Sequence, residues 1–215
     1  MEIRPEDLDP DSTYKLLSGV VVPRPIAWVT TLSPGPIVNL APFSAFTFVS
    51  NQPPMVAISI GRKAGRLKDT ARNIRDREEF VVHVADWPLL EKVHLSATEH
   101  PPDRSEVEEL GLATVPSDII ATPRLAAAPV ALECRLHQTI EFGELKTALV
   151  VGRVVMFHVR DGLMVAGKIQ TDRLRPIARL AGPMYATLGE IVSLTPIAAT
   201  PKGAPIGEDP KSSER

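Results

Sequence analysis

Short runs of β-branched, aromatic and other apolar residues recur along the chain, and this pattern constrains the fold most strongly. Such runs occur at residues 56–60, 80–84 and 149–159. At residues 132–140 apolar and polar side chains alternate, which predicts a strand buried on one face. The run at 149–159 is apolar on both faces, which predicts a strand covered on both sides. Many short strands with few helices indicate a barrel or a sandwich rather than an alternating α/β sheet.

Prolines interrupt one of the β-type segments, and helical periodicity is found in few places. Residues 19–32 are rich in strand-forming residues, but Pro23 and Pro25 remove ladder donors. This segment is therefore predicted to be an edge, a bulge or two short pieces. Helical patterns occur at residues 67–74, 88–97 and 106–110, and residues 173–180 are ambiguous because Pro176 fits only a helix start or a turn.

The length and composition predict one domain that buries its own core. The chain has 215 residues, of which 44% are hydrophobic, enough for a core without disulfides or metals. We expect this domain to span residues 1–194. Residues 195–215 are rich in Pro, Lys, Ser and Ala, and we expect a mobile tail there.

Charge and cysteine content narrow the range of functions. The net charge of −2 provides no basic field for nucleic acid. The single cysteine, Cys134, cannot form an intrachain disulfide, which favours a cytoplasmic location. No apolar run approaches the length of a membrane span. The first ten residues carry acids and prolines rather than the apolar core of a signal peptide.

A basic cluster accompanies the helix predicted after residue 67. Lys68, Thr70 and Asn73 offer a charge and neutral hydrogen-bond donors, and Arg62 lies upstream in a loop that begins at Gly61. Such donors at a helix start can hold a phosphate. The alternative is a solvent-exposed helix with a basic face, in which Asp69 stabilises the first turn.

A second group of candidate residues lies at positions 39–50. Small and polar residues alternate there with three phenylalanines, and they comprise Asn39, Ala41, Pro42, Ser44 and Ser50. Small residues allow a flat ring to approach the backbone, and polar groups can bond its edge. The alternative is a hairpin whose phenylalanines belong to an ordinary core.

The sequence lacks the residue patterns of several common enzyme classes. It has no GxSxG elbow, no GxGxxG and no phosphate-binding P-loop motif. The histidines show no pair at metal-ligand spacing, so no metal site is predicted. No nucleophile and base set is predicted either, and a ligand-binding chain without one suits chemistry carried by a cofactor.

Six motifs together resemble the flavin reductase-like FMN-binding family, the flavoredoxin-type split barrels. They are RPIAWVTT at 24–31, NLAPFSAF at 39–46, NQPPMVAISIG at 51–61, KDTARNI at 68–74, EFVVHV at 79–84 and ARLAGPMYA at 178–186. The resemblance covers residues 14–193. One mild departure is Ala181, which stands where the family has the first glycine of an RLGG run.

The resemblance implies a mainly β protein, an antiparallel Greek-key-like split barrel with a few flanking helices, that forms a homodimer. It implies that residues 39–44 contact the isoalloxazine ring of FMN, that Ser59, Arg62, Lys68 and Thr70 lie at its phosphate, and that Arg179 and Tyr185 lie near the site. The complete predicted cofactor site comprises Asn39, Ala41, Pro42, Ser44, Ser50, Ser59, Gly61, Arg62, Lys68, Asp69, Thr70, Asn73, Arg179 and Tyr185.

Two functions follow from these expectations. The first is an FMN-dependent oxidoreductase reduced by NADH or NADPH, either a flavin reductase that serves a monooxygenase or another redox partner, or a flavoredoxin-like electron carrier. The second is a non-catalytic flavin-binding protein on the same barrel, because a fold does not determine a function.

Overall fold

The computed structural model describes residues 1–197, in which strands predominate. The helices are α1 (Pro10–Val20), α2 (Asp69–Arg77), α3 (Leu90–Leu95), α4 (Glu106–Glu109) and α5 (Thr171–Leu174), with 3-10 turns at Pro5–Asp7 and Trp87–Leu89. The strands are β1 (Arg24–Pro25), β2 (Ala27–Leu32), β3 (Val38–Phe43), β4 (Phe46–Asn51), β5 (Pro54–Ile60), β6 (Glu79–Val84), β7 (Thr114–Val115), β8 (Arg124–Leu125), β9 (Val130–Phe142), β10 (Thr147–Val159), β11 (Met164–Val165), β12 (Lys168–Ile169), β13 (Ala178–Arg179) and β14 (Tyr185–Ala186).

Seven strands form one antiparallel sheet that curls around a core. Their order is β3-β2-β6-β9-β10-β5-β4, so β3 and β4 are the two edges. The sheet bends back on itself, since β3 also contacts β5 and the Ser59 N–H donates to the Ala45 carbonyl at 2.8 Å. Smaller sheets pair β1-β13-β14, β7-β8 and β11-β12. The predicted mainly β, antiparallel architecture is confirmed.

The alternation of side chains on β2 divides the interior into two cores. Ala27 and Val29 point into the curled sheet, where they pack with side chains of β5, β6, β9 and β10. Trp28 points the other way and packs with Leu40 and with Val93 of α3. The Trp28 indole N–H donates to the Ser96 hydroxyl at 2.8 Å. The second core thus holds α3 and the segment after it against the outer face of β2 and β3.

The first helix was not expected from the sequence. Asp9 caps α1, because its carboxylate accepts a hydrogen bond from the Ser12 N–H at 2.7 Å, and Pro10 occupies the first helical position. α1 ends at Val20, inside the segment predicted to be extended. The rest of that segment forms the two separate strands β1 and β2, which confirms the prediction of short pieces around the prolines.

The predicted alternation along β9 is present, but in the first half of the strand both faces are buried rather than one. Glu133, expected on the polar face, is fully buried. Its carboxylate accepts hydrogen bonds from the N–H groups of Asp118 and Ile119 at 2.7 and 2.8 Å, and it pairs with His158 at 2.6 Å. Burial opposes ionisation, but these partners together hold the pKa of Glu133 below its ordinary value. Glu133 therefore anchors the loop before β8 to the sheet.

The structure also addresses the length of its helices and the predicted C-terminal tail. No helix within residues 1–197 combines the length and the hydropathy needed to span a bilayer. The mobile tail predicted at 195–215 lies outside the described residues, except for its first three positions.

His83 is a buried histidine with both ring nitrogens bonded. Its Nε2 accepts a hydrogen bond from the Leu125 N–H at 2.9 Å, and Nδ1 lies 2.9 Å from the Trp28 carbonyl, to which its proton is donated. This arrangement requires the neutral ring. Burial, with smaller contributions from the charges of Arg124 and His158, lowers the pKa of His83 to about 4.

We predict that His83 makes the fold less stable as the pH falls. The pKa in the folded state lies below the ordinary value of 6.5, so between pH 6.5 and 4 the unfolded chain binds a proton that the folded chain excludes. The contribution is fully present above pH 6.5 and declines by at most about 1.4 kcal/mol per pH unit below it. Urea unfolding of His83→Gln should show a correspondingly shallower loss of free energy of unfolding between pH 7.5 and 5.

The matched control is His137→Gln, because His137 is exposed on β9. This variant should keep the pH dependence of the unchanged protein. If His83→Gln and the unchanged protein lose the same free energy of unfolding over this range, the neutral ring of His83 does not contribute to the pH dependence.

Candidate functional site

A cavity of about 590 Å³ lies where β3, the start of α2 and the segment between α3 and α4 meet. Its walls combine small, basic and acidic side chains. They are Asn39, Ala41, Pro42, Phe43, Lys63, Ala64, Arg66, Leu67, Lys68, Asp69, Thr70, Arg72, Ser96, Ala97, Thr98, Glu99, His100, Pro102 and Glu106.

β3 forms one wall of the cavity because it is an edge strand. Asn39, Ala41 and Pro42 line it, as predicted for the ring side. A proline is tolerated at such an edge, where no neighbouring strand needs its N–H. The Asn39 amide donates to the Thr70 hydroxyl at 3.0 Å, which ties β3 to the first turn of α2. This wall is therefore built of small residues and is held against α2.

The start of α2 forms the basic end of the cavity. Lys68 is the N-cap residue, its side chain is exposed, and no side-chain hydrogen bond caps the helix. The first N–H groups of α2 are thus free of a side-chain acceptor, and the helix dipole favours an anion there. The Lys68 ammonium lies 6.0 Å from the centre of the Phe43 ring. Asp69 forms an ion pair with Arg72, one turn along the helix.

Thr70 and Asn73, both predicted as neutral hydrogen-bond donors to a ligand, differ in their access to the cavity. Both are buried, because this side of α2 packs on β2 and β3. Thr70 still lines the cavity, and its hydroxyl accepts the hydrogen bond from the Asn39 amide. Asn73 does not line it. The Asn73 amide donates to the Thr31 hydroxyl at 3.1 Å, while its carbonyl oxygen has no partner among the described residues.

Other predicted site residues lie outside the cavity in this chain. Arg62 points away, where it pairs with Glu141 and donates to the Lys146 carbonyl. The Ser44 hydroxyl accepts a hydrogen bond from Arg24 at 3.2 Å, and that of Ser50 accepts one from the Gln52 N–H. Ser59 lies near the end of β5, and Gly61 directly follows this strand.

Arg179 and Tyr185 do not line the main cavity, and they contact each other. The Arg179 guanidinium lies 4.8 Å from the Tyr185 ring centre and donates to its hydroxyl at 2.9 Å. The same hydroxyl lies 3.1 Å from Nδ1 of His94. Tyr185 lines a second cavity, of about 580 Å³, beside Trp87. β1 links Arg179 to Ser44, because Arg24 pairs with Arg179 between strands β1 and β13 and also donates a hydrogen bond to the Ser44 hydroxyl.

Sequence reasoning missed the third wall of the main cavity. Ser96 to His100, Pro102 and Glu106 come from a segment with no ligand-binding pattern, and only the tertiary fold brings them opposite β3. Glu106 is 8% exposed, and its carboxylate accepts a hydrogen bond from the Leu40 N–H at 2.9 Å. Burial raises the pKa of Glu106 above its ordinary value, and the charge of Asp69 adds to this effect. Lys63 and Arg66 were likewise not in the predicted site.

One group of potential metal ligands occurs within residues 1–197. Ligand atoms of Asp118, Glu133 and His158 all lie within 4.8 Å of one another. Both carboxylate oxygens of Glu133 are already bonded, to backbone N–H groups and to His158. We interpret this group as an ion pair that holds a loop.

Comparison with known proteins identifies the family. Residues 18–172 match the model of the flavin reductase-like domain. This chain belongs to the flavin reductase-like family, and it is a flavin-binding oxidoreductase.

Solved structures agree with this assignment. The chain is similar to nitrilotriacetate monooxygenase component B from Bacillus cereus, with 39% identity, a TM-score of 0.88, and coverage of 90% of this chain and 98% of that one. It is also similar to 2-nitrobenzoate 2-nitroreductase NbaA from Pseudomonas fluorescens, with 33% identity, a TM-score of 0.84, and coverage of 95% and 100%. A split barrel domain protein from Shewanella frigidimarina matches at 18% identity with a TM-score of 0.81, covering 92% of this chain and 100% of that chain, and confirms the fold.

Proposed function

We propose that this protein is an NADH- or NADPH-dependent flavin reductase that holds FMN in the cavity between β3 and α2. One observation supports this proposal above the others. A wall of the small residues Asn39, Ala41 and Pro42 meets a basic helix start at Lys68 within a single cavity of about 590 Å³. A phosphorylated planar ligand suits both parts, whereas an uncharged planar ligand would leave the basic end without a partner.

The chain's own residues have roles in binding and orientation. Lys68 and the free N–H groups of α2 would hold the phosphate, and the Thr70 hydroxyl would donate to it or to the adjoining chain. Asn39 to Pro42 would lie along the flat part of the ligand. The redox chemistry is that of the bound cofactor, which accepts electrons from a reduced nicotinamide. No side chain is assigned as a catalytic acid or base.

Further elements of the proposal concern partners, bounds and compartment. The similarity to a monooxygenase component B supports a role in delivering reduced flavin to a monooxygenase or another redox partner. Flavoredoxin-like electron transfer is the related alternative within the same chemistry. We place the functional domain at residues 1–194 and the protein in the cytoplasm, where the single Cys134 would remain reduced.

The first test is steady-state oxidation of NADH and of NADPH with FMN, FAD or riboflavin added. We expect FMN to bind more tightly than riboflavin and to support oxidation of at least one nicotinamide. Equal affinity for FMN and riboflavin would contradict the phosphate assignment. Tight flavin binding without oxidation of either nicotinamide would contradict the reductase function and leave the non-catalytic alternative.

The second test is Lys68→Ala, which removes the cation at the basic end. A hydrogen bond to a charged group contributes about 1.5–3 kcal/mol, so FMN affinity should fall about ten- to a hundredfold in a calorimetric titration. Riboflavin affinity and thermal stability should not change, because the Lys68 side chain is exposed. Lys168→Ala, at an exposed lysine on β12, is the charge-matched control. Unaltered FMN affinity in Lys68→Ala would show that Lys68 is only a surface residue.

The third test concerns assembly, since we propose a homodimer. No residue of α1 is buried, and its apolar side chains Tyr14, Leu17 and Val20 are exposed by 69%, 58% and 71%. Phe157 on β10 is exposed by 55%. Exposed apolar side chains in this number are typical of an interface. A two-fold dimer would cover them and would make flavin binding dependent on assembly.

Light scattering at micromolar concentration should therefore report a dimer. The double variant Leu17→Gln/Val20→Gln should raise the monomer fraction and weaken FMN binding in parallel. Lys15→Gln, on the polar side of the same helix, should leave both unchanged. A monomeric protein with full FMN affinity would contradict the dimer and the shared site.

A further inference from the structure

Glu106 presents an unused hydrogen-bond acceptor at the main cavity. Only 8% of this residue is exposed, and it lines the cavity. Oε2 accepts the hydrogen bond from the Leu40 N–H at 2.9 Å. No other residue within 1–197 donates to Oε1, and the only further donor to this carboxylate is the N–H of Glu106 itself. Two side-chain atoms of the described residues are fully enclosed without a partner, and Oε1 is not one of them. It therefore remains accessible to a ligand.

The fold holds this carboxylate in place. β3 is the edge of the seven-stranded sheet, so the Val38 carbonyl and the Leu40 N–H have no strand partner. The Ser105 hydroxyl donates to the Val38 carbonyl at 2.6 Å, and Glu106 accepts from Leu40. Two consecutive residues of the chain thus close the edge and fix the Glu106 side chain beside the wall of small residues. Satisfying the edge of β3 requires only one carboxylate oxygen of Glu106, so it gives no role to the second oxygen.

The charges around the cavity indicate which ligand group Oε1 can contact. Arg66 and Lys68 line the cavity and attract an anion, whereas Lys63 is already paired with Glu99. A carboxylate repels an anion and needs a hydrogen-bond donor. Burial raises the pKa of Glu106 and the Asp69 charge raises it further, whereas the N–H groups of Leu40 and of Glu106 itself and the charge of His100 oppose this. In either protonation state the side chain can accept from a neutral hydroxyl.

We propose that Oε1 of Glu106 accepts a hydrogen bond from a hydroxyl group of the ribityl chain of the flavin, which makes Glu106 a specificity-determining residue. The ribityl chain joins the ring to the phosphate, so its hydroxyls pass between the wall of small residues and the basic end. This inference rests on the proposed function, because it takes a flavin to occupy the cavity.

The variant Glu106→Gln separates the two carboxylate oxygens. Glutamine retains one oxygen for the Leu40 N–H and replaces the other with an NH₂ donor, which cannot accept from a hydroxyl. Fluorescence titrations with FMN, riboflavin and lumiflavin then locate the contact, because lumiflavin keeps the ring and lacks the ribityl chain. Glu108→Gln, at an exposed position of α4, is the matched control.

We expect Glu106→Gln to bind FMN and riboflavin about ten- to a hundredfold more weakly, with lumiflavin affinity and melting temperature unchanged. Glu108→Gln should bind all three like the unchanged protein. The unchanged protein itself should bind riboflavin at least about tenfold more tightly than lumiflavin, a comparison that needs no variant.

Four outcomes would overturn the inference. Equal riboflavin and lumiflavin affinity in the unchanged protein would exclude a ribityl contact. An equal loss for all three ligands in Glu106→Gln would place the contact on the ring instead. Unchanged FMN and riboflavin affinity in Glu106→Gln would reduce Glu106 to its structural role at the strand edge, while the proposed function would stand. Absence of any flavin binding in the unchanged protein would contradict both proposals.

Discussion

The free edge of β3 is the constraint on which the candidate site depends. A strand at the edge of a sheet exposes backbone groups that need partners. In this protein Ser105 and Glu106 satisfy them, at 2.6 and 2.9 Å. This brings the segment between α3 and α4 opposite β3, and the Asn39–Thr70 hydrogen bond brings the start of α2 to the same place. The cavity is the space that these two attachments enclose, so its shape follows from backbone satisfaction at one edge.

The elements that depend on local pattern could be predicted from the sequence. The apolar runs became β5, β6 and β10, and the stripe at Leu67, Ala71 and Ile74 became α2 and its approach. The proline-containing segment formed short strands, as missing N–H donors require. α1 was missed although Asp9 and Pro10 are strong helix-start signals. Glu133 is buried on the face of β9 that was expected to be exposed, because its partners are backbone N–H groups from a distant loop that no periodicity encodes.

Part of the site was predictable because some of its residues lie in stretches with a local sequence pattern. Asn39 to Pro42 and Lys68 to Thr70 line one cavity, and each group is a contiguous stretch with its own composition signal. The sequence predicts Asn73 as a hydrogen-bond donor to the ligand, but the packing of α2 on β2 turns its side chain inward towards Thr31. Glu106 could not be found from sequence, since one acid among several in a short helix gives no sign that it alone is buried. Its role emerges only from the position of Leu40 at the sheet edge.

The central claim is that the cavity between β3, α2 and Glu106 is the flavin site, and a crystal structure with bound FMN tests it most directly. We predict electron density for the phosphate at the first turn of α2, within hydrogen-bond distance of Lys68. The ring should lie along Asn39 to Pro42, with a ribityl hydroxyl within hydrogen-bond distance of Glu106. Flavin density elsewhere, such as in the cavity beside Trp87 and Tyr185, with the cavity at β3 empty, would contradict the account.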